Sequence, residues 1–184
     1  TYLSQRMDAD KLLHLDFLKA DLSKLFGGAS FNLVGNFPYN ISSQIVFKLL
    51  ENRARIPVML GMFQRELADR ICAEPGGKAN GILSILSQLH YSAEKLFDIA
   101  PEAFDPAPKV FSSVILLRRK KELDDTLDLG LYKRIVKQAF SQRRKKMRNT
   151  LKSFDLQLED SIFQKRPEQL GVEDFIKIVK SIEK

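Results

Sequence analysis

Hydrophobic positions in this 184-residue chain change their period once, near residue 120. Before that point short apolar runs alternate with stretches of helical spacing, the pattern of an α/β architecture. Leu12 to Asp16, Phe31 to Gly35 and Val58 to Phe63 read as strands. A helix follows from Gln64 to Ala73, closed by Glu74-Pro75-Gly76-Gly77. Gly81 to His90 has helical spacing through Ile82, Ile85, Leu86 and Leu89, whereas Ala93 to Ile99 and Ser112 to Arg118 are strand-like and should form the last pair of the sheet. After Arg119-Lys120-Lys121 the pattern is entirely helical. Leu131, Ile135, Val136 and Ala139 make one apolar stripe, and Val172, Phe175, Ile176 and Val179 make another. The expected division is 1–120 for the α/β part and 121–184 for a small helical domain. No internal repeat and no low-complexity tract interrupts it.

Composition narrows the class. With 44% hydrophobic and 29% charged residues, the chain has enough apolar material for a packed core. No apolar run is long enough to span a membrane, and no signal-peptide pattern is present. One cysteine, Cys72, excludes an internal disulfide framework, and it shares a helical apolar face with Leu67 and Ile71 as a small core residue would. The two histidines, His14 and His90, have no partners at metal-ligand spacing, so a zinc site or a Ser-His-Asp site is not expected. A net charge of +7 and a pI near 9.5 suit a polyanionic partner without identifying one.

The most informative residues are Asn36-Phe37-Pro38-Tyr39-Asn40, at the end of the second apolar run. Asn and Pro are ordinary turn formers. Here, however, four residues supply an amide oxygen, a rigid backbone carbonyl and a flat phenol. The two oxygens can accept hydrogen bonds from an exocyclic NH2, and the ring can stack on a base. Pro38 fixes its own φ and biases Phe37 toward extended geometry, which holds the acceptors in place.

This turn resembles the N-L/F-P-Y motif of S-adenosylmethionine-dependent adenine N6-methyltransferases. Its continuation, Asn40-Ile41-Ser42-Ser43, is similar to that of the ribosomal RNA adenine dimethyltransferase family. Four further segments resemble that family in order. They are Leu15-Asp16-Phe17-Leu18-Lys19, the helix-like Met62-Phe63-Gln64-Arg65-Glu66-Leu67-Ala68-Asp69-Arg70, the run from Phe104-Asp105-Pro106-Ala107-Pro108-Lys109-Val110 to Val114, and a basic helix at Gln142-Arg143-Arg144-Lys145-Lys146-Met147-Arg148-Asn149.

The resemblance implies the C-terminal part of a class I, Rossmann-like methyltransferase sheet plus a small all-helical domain. It implies dimethylation of adenine N6 in small-subunit ribosomal RNA, a role in ribosome assembly and a cytoplasmic place of action. S-adenosylmethionine would be the cofactor, small-subunit RNA the partner, and the protein a monomer without metal or membrane. Asn36 and Pro38 would accept the target amine, with Tyr39 and Phe104 on either face of the base. Asp16, Phe17 and Asn36 would touch the cofactor, Asp16 through the amino group of its adenine. Lys109 and Ser112 would brace the Phe104 loop. Arg143, Arg144, Lys145, Lys146 and Arg148 would meet RNA phosphates; with Lys152 they put six cations within ten residues and no acid among them.

One departure is large. Class I methyltransferases open with a strand and a Gly-rich turn that lets the backbone approach the cofactor. This chain has no G-x-G-x-G; Gly27-Gly28 and Gly76-Gly77 are isolated pairs. It therefore reads as a portion lacking the first half of the cofactor site, inactive by itself. Other readings stay open at this point. Protein-glutamine and DNA-adenine methyltransferases use a similar turn, though Phe37 and the P-x-P-K-V segment argue against them. A macrolide-resistance enzyme acting on large-subunit RNA is a close sibling, and a non-catalytic assembly or transcription factor could use the same fold.

Overall fold

The computed structural model describes residues 5–8, 11–120, 126–154, 156 and 161–182. Its centre is a four-stranded mixed sheet in the order β1-β2-β4-β3, formed by β1 (Leu33–Asn36), β2 (Val58–Gln64), β3 (Tyr91–Ile99) and β4 (Ser112–Arg119). β1 and β2 are parallel and are joined through α1 (Ser42–Glu51). β3 and β4 form the expected antiparallel pair, and β4 turns back between β3 and β2. In β2 Met59, Gly61 and Phe63 are buried and their neighbours are half-buried, the period of two that a strand imposes.

Two core clusters follow from this layout. The first packs Ile45, Val46 and Leu49 of α1 and Ala68 and Ile71 of α2 (Arg65–Ile71) against Met59, Phe63, Ile115 and Leu117 of the sheet. The second joins α3 (Ile82–His90) to α4 (Leu129–Ser141), α5 (Met147–Thr150) and α6 (Val172–Ile182). Ile85, Leu86 and Leu89 of α3 sit in the helical core, while Leu83 packs against the sheet core. α3 therefore belongs to both. The stripe Leu131, Ile135, Val136 and Ala139 is buried as its spacing requires, and so are Phe175 and Val179; Val172 and Ile176 are half-buried at the same core.

Several expectations need correction. Leu12 to Asp16 is not a strand: it has no ladder partner among the described residues, and Leu13 and Leu15 are 62% and 45% exposed. An apolar run without a neighbour to bond has nothing to hold it extended. Met62, Phe63 and Gln64 complete β2, so the helix there starts only at Arg65. The basic segment is not one helix. α4 ends at Ser141, Gln142 leaves helical geometry (φ −129°, ψ 59°), and the Lys145 amide closes a turn on the Gln142 carbonyl at 2.8 Å. α5 then starts at Met147, whose amide is bonded to the Lys165 carbonyl at 2.8 Å. Adjacent cations with no acid at i+4 give a continuous helix little support there. The boundary placed between residues 120 and 121 borders 121–125, which lie outside the described residues.

At the C-terminal end of β1 the ladder pairs Gly35 with Gly61. The Phe37 ring folds back over this gap and stacks on Phe63, with centroids 5.3 Å apart and planes at 21°. A Cβ on Gly35 would lie 2.7 Å from the Phe37 ring, and one on Gly61 would lie 2.9 Å from Phe37 and 2.7 Å from Phe63. We expect Gly61→Ala to cost about 1–3 kcal/mol, the usual effect of overpacking a filled site. Urea denaturation measures it; an unchanged midpoint would show that the rings have room to move.

Candidate functional site

β1 delivers its last residue, Asn36, to the edge of a cleft of about 370 Å³, also lined by Pro38, Tyr39, Phe104, Pro106 and Pro108. The side chain of Asn36 is exposed and makes no hydrogen bond to any described residue. Phe37 continues the ladder weakly, its amide donating to the Met62 carbonyl at 3.4 Å. Pro38 (φ −60°, ψ 132°) then turns the chain into a single helical turn at Tyr39–Ile41 that leads to α1. The opposite wall comes from the loop between β3 and β4, where Asp105–Pro106 is a cis peptide. Asn36, Pro38, Tyr39 and Phe104 are thus brought together from segments about seventy residues apart.

Two serines hold this geometry. Tyr39 Oη and Ser112 Oγ are hydrogen-bonded at 2.5 Å, which fixes the phenol between β4 and the turn. Ser112 is fully buried and pairs with Gln64 in the ladder. The buried hydroxyl of Ser42 donates to the Pro38 carbonyl at 2.9 Å, and the Ile41 amide donates to the same oxygen at 3.3 Å. Both lone pairs of the Pro38 carbonyl are therefore engaged inside the turn. The Phe37 carbonyl accepts no such bond among the described residues. Sequence reasoning placed Ser112 only as a brace for the Phe104 loop and missed Ser42; nothing in the pattern tells a hydroxyl bonded across the fold from one facing water.

Asp16 and Phe17 stand apart from this cleft's lining. One Asp16 oxygen accepts from the Leu18 amide at 3.0 Å, and the other is 3.8 Å from Lys19 Nζ. The carboxylate is more than half exposed and keeps acceptor capacity, while Phe17 packs on the sheet core. Gly27 and Gly28 occupy left-handed turn positions (φ 60° and 84°), as isolated glycine pairs do. Cys72 is half-buried, and desolvation pushes its thiol up to about 11, in keeping with a packing role. Burial, followed by the Arg53 and Lys120 charges, pulls His90 down to about 4. No cluster of described residues has the make-up of a metal site, and no helix among them is long and apolar enough to cross a membrane.

The basic segment divides by contact. Arg143 donates to the carbonyls of Lys78 and of Asn80, the latter at 2.9 Å, and so ties the α4–α5 turn to the loop before α3. Asn80 is itself buried, and its amide bonds the carbonyls of Glu168 at 3.0 Å and Leu170 at 2.9 Å. Arg144, Lys145, Lys146 and Arg148 are exposed and form no ion pair with a described acid.

The fold is the Rossmann-like sheet of class I methyltransferases with a helical addition. It matches a dimethyladenosine transferase from Plasmodium falciparum with a TM-score of 0.69 at 24% identity, over 80% of this chain and 65% of that one. It also matches the 23S rRNA methyltransferase ErmE with a TM-score of 0.65 at 23% identity, over 90% of this chain and 70% of that one. Sequence is more specific: residues 5–184 match the family model described as ribosomal RNA adenine dimethylase, and the chain belongs to that family. Similar relatives include proteins named ribosomal RNA small subunit methyltransferase A. The one from Bacteroides thetaiotaomicron is 50% identical over 182 residues, and the one from Flavobacterium johnsoniae is 48% identical over 177. Each alignment covers 95% of this chain, which spans 67% and 68% of those two relatives.

Proposed function

We propose that this chain carries the base-binding and RNA-docking portion of an enzyme that dimethylates adenine N6 in small-subunit ribosomal RNA. The observation that carries this reading is the unpartnered Asn36 amide, held at the end of β1 in a cleft flanked by Tyr39 and Phe104. Identities of 48% and 50% to small-subunit enzymes favour that RNA over the large-subunit RNA named for the fold neighbour at 23%.

The adenine amine is a poor nucleophile because its lone pair is delocalised into the ring. Asn36 Oδ1 and a backbone carbonyl of the turn accept its two hydrogens, which favours the pyramidal nitrogen of the transition state. With the Pro38 oxygen engaged by Ser42 and Ile41, the Phe37 carbonyl, which accepts no hydrogen bond from a described residue, is the acceptor left for the second hydrogen. Tyr39, locked by Ser112, and Phe104 sandwich the extruded base. Their contribution is positioning, which needs no strong base in the cleft.

The acceptor set fits part of S-adenosylmethionine. Asp16, with Phe17 beside it, would hold the amino group of the cofactor's adenine, and Asn36 would border the reacting end. The described residues include no Gly-rich turn for the methionine portion. The cofactor would supply an electrophilic methyl group.

In this reading the part up to residue 120 serves the chemistry and the helical part docks RNA through Arg144, Lys145, Lys146 and Arg148. Arg143 belongs with them by charge, but two carbonyls already hold it.

In an enzyme carrying the complete cofactor site, Asn36→Ala should lower methyl transfer to purified small-subunit particles by at least roughly a hundredfold, the scale for losing one transition-state hydrogen bond. Turnover close to wild type would remove Asn36 from the mechanism. For docking, Arg144→Ala, Lys146→Ala and Arg148→Ala combined should reduce the salt slope of log K by roughly two to three, with thermal stability unchanged. Arg143→Ala should instead destabilise the fold by about 1 kcal/mol through the lost junction bonds. A triple variant with the full slope would make the basic face a solvated surface only.

A further inference from the structure

The loop between β3 and β4 borders two clefts. Phe104, Pro106 and Pro108 face the Asn36 cleft, and the next residues, Lys109 to Phe111, face a second one of about 420 Å³ at the start of α2. The two are also joined through the ladder, because Gln64 lines the second cleft and pairs with the Ser112 that anchors Tyr39.

The second cleft has the make-up of a stacking platform. The Arg65 guanidinium carbon lies 4.5 Å from the centroid of the Phe111 ring, and the Arg65 amide donates to the Phe111 carbonyl at 2.9 Å. Side chain and main chain thus hold the pair in register. Phe111 is 40% exposed, so part of its ring is open to a further stacking partner. The charge left over is positive. Glu66 is paired with Arg70 at 2.5 Å, and Asp69 with Lys95 at 2.9 Å. Asp98 accepts from Ser113 Oγ at 2.6 Å and faces Lys95 at 3.6 Å. Arg65 and Lys109 form no ion pair with a described acid.

We propose that this cleft seats the nucleotide next to the target adenine, with its base on the Arg65–Phe111 stack and its phosphate against Lys109. The inference rests on the function proposed above. Guanidinium planes and aromatic faces are the surfaces on which unstacked bases settle, and such stacking tolerates any base. A Lys beside the stack supplies the phosphate charge. Holding the neighbour splayed in its own cleft keeps the target adenine from restacking on it. The flank then contributes to placing N6 against Asn36.

The test uses a five-nucleotide single-stranded RNA with a central adenine, in which the central base or either neighbour is replaced by an abasic site. Binding to wild type, Phe111→Ala and Arg65→Lys is measured by fluorescence anisotropy. For wild type, removing one of the two neighbouring bases should weaken binding about tenfold. That penalty should vanish in Phe111→Ala and shrink in Arg65→Lys, which keeps the charge and loses the plane, while the penalty for removing the central base persists in both. No flanking penalty in wild type, or a full one in both variants, would overturn the second-cleft assignment and leave the Asn36 site standing. No penalty for removing the central base from wild type would overturn the adenine site itself, and with it this inference.

Discussion

Gly35 and Gly61 stand opposite each other across the β1–β2 ladder, and the ring of Phe37 fills the space that their missing side chains leave. The candidate site depends on this contact. Because Phe37 turns inward onto the glycines and Phe63, the chain leaves β1 with Asn36 projecting outward and Pro38 already committed to the turn. A side chain on either glycine would lift Phe37 and move the residue on each side of it. The amide of Asn36 can stay free of internal partners because packing, not its own hydrogen bonds, fixes the backbone that carries it.

The second constraint is that one wall of the cleft is borrowed. Phe104 and the prolines arrive from the β3–β4 connection, and β4 lies next to β2, so that connection returns to the C-terminal end of the parallel strands. The Tyr39–Ser112 hydrogen bond then ties the two walls together at a buried serine. The helical part is coupled to the same frame through α3, which contributes to both cores, and through Arg143 and Asn80 at the loop that precedes it. A docking face on that part is therefore held at a set place relative to the cleft.

Much of this was legible in the chain. The strands β2 and β4, the helix α3 and the stripes of α4 and α6 follow from period, because each buries one face against a core; β3 was legible from its strand-like composition, although Tyr91 is its only buried residue. The acceptor-rich turn at Asn36 was legible because Asn, Pro and an aromatic supply an unusual set of groups in few residues. Other features were out of reach. The run Leu12 to Asp16 has strand composition, yet a strand is a pairing, and a single segment does not say whether a partner exists. Gly35 and Gly61 look like isolated weak points until the register places them opposite each other beneath Phe37. Arg143 resembles its basic neighbours in every respect except the two carbonyls it meets, which belong to a loop more than sixty residues away. The Pro38 oxygen looked available because hydroxyl donors such as Ser42 carry no directional signal in sequence.

The account rests on Asn36 accepting a hydrogen bond from the exocyclic amine of an extruded adenine. The most direct measurement compares the affinity of a short single-stranded RNA carrying a central adenine with one carrying purine, which lacks the amine, for wild type and for Asn36→Ala. Loss of the amine removes two hydrogen bonds from wild type and should weaken its binding by roughly tenfold or more, whereas the variant loses only the bond to the backbone carbonyl and should show a penalty several-fold smaller. Equal discrimination by both proteins would contradict the account, since the amine would then be recognised by something other than Asn36.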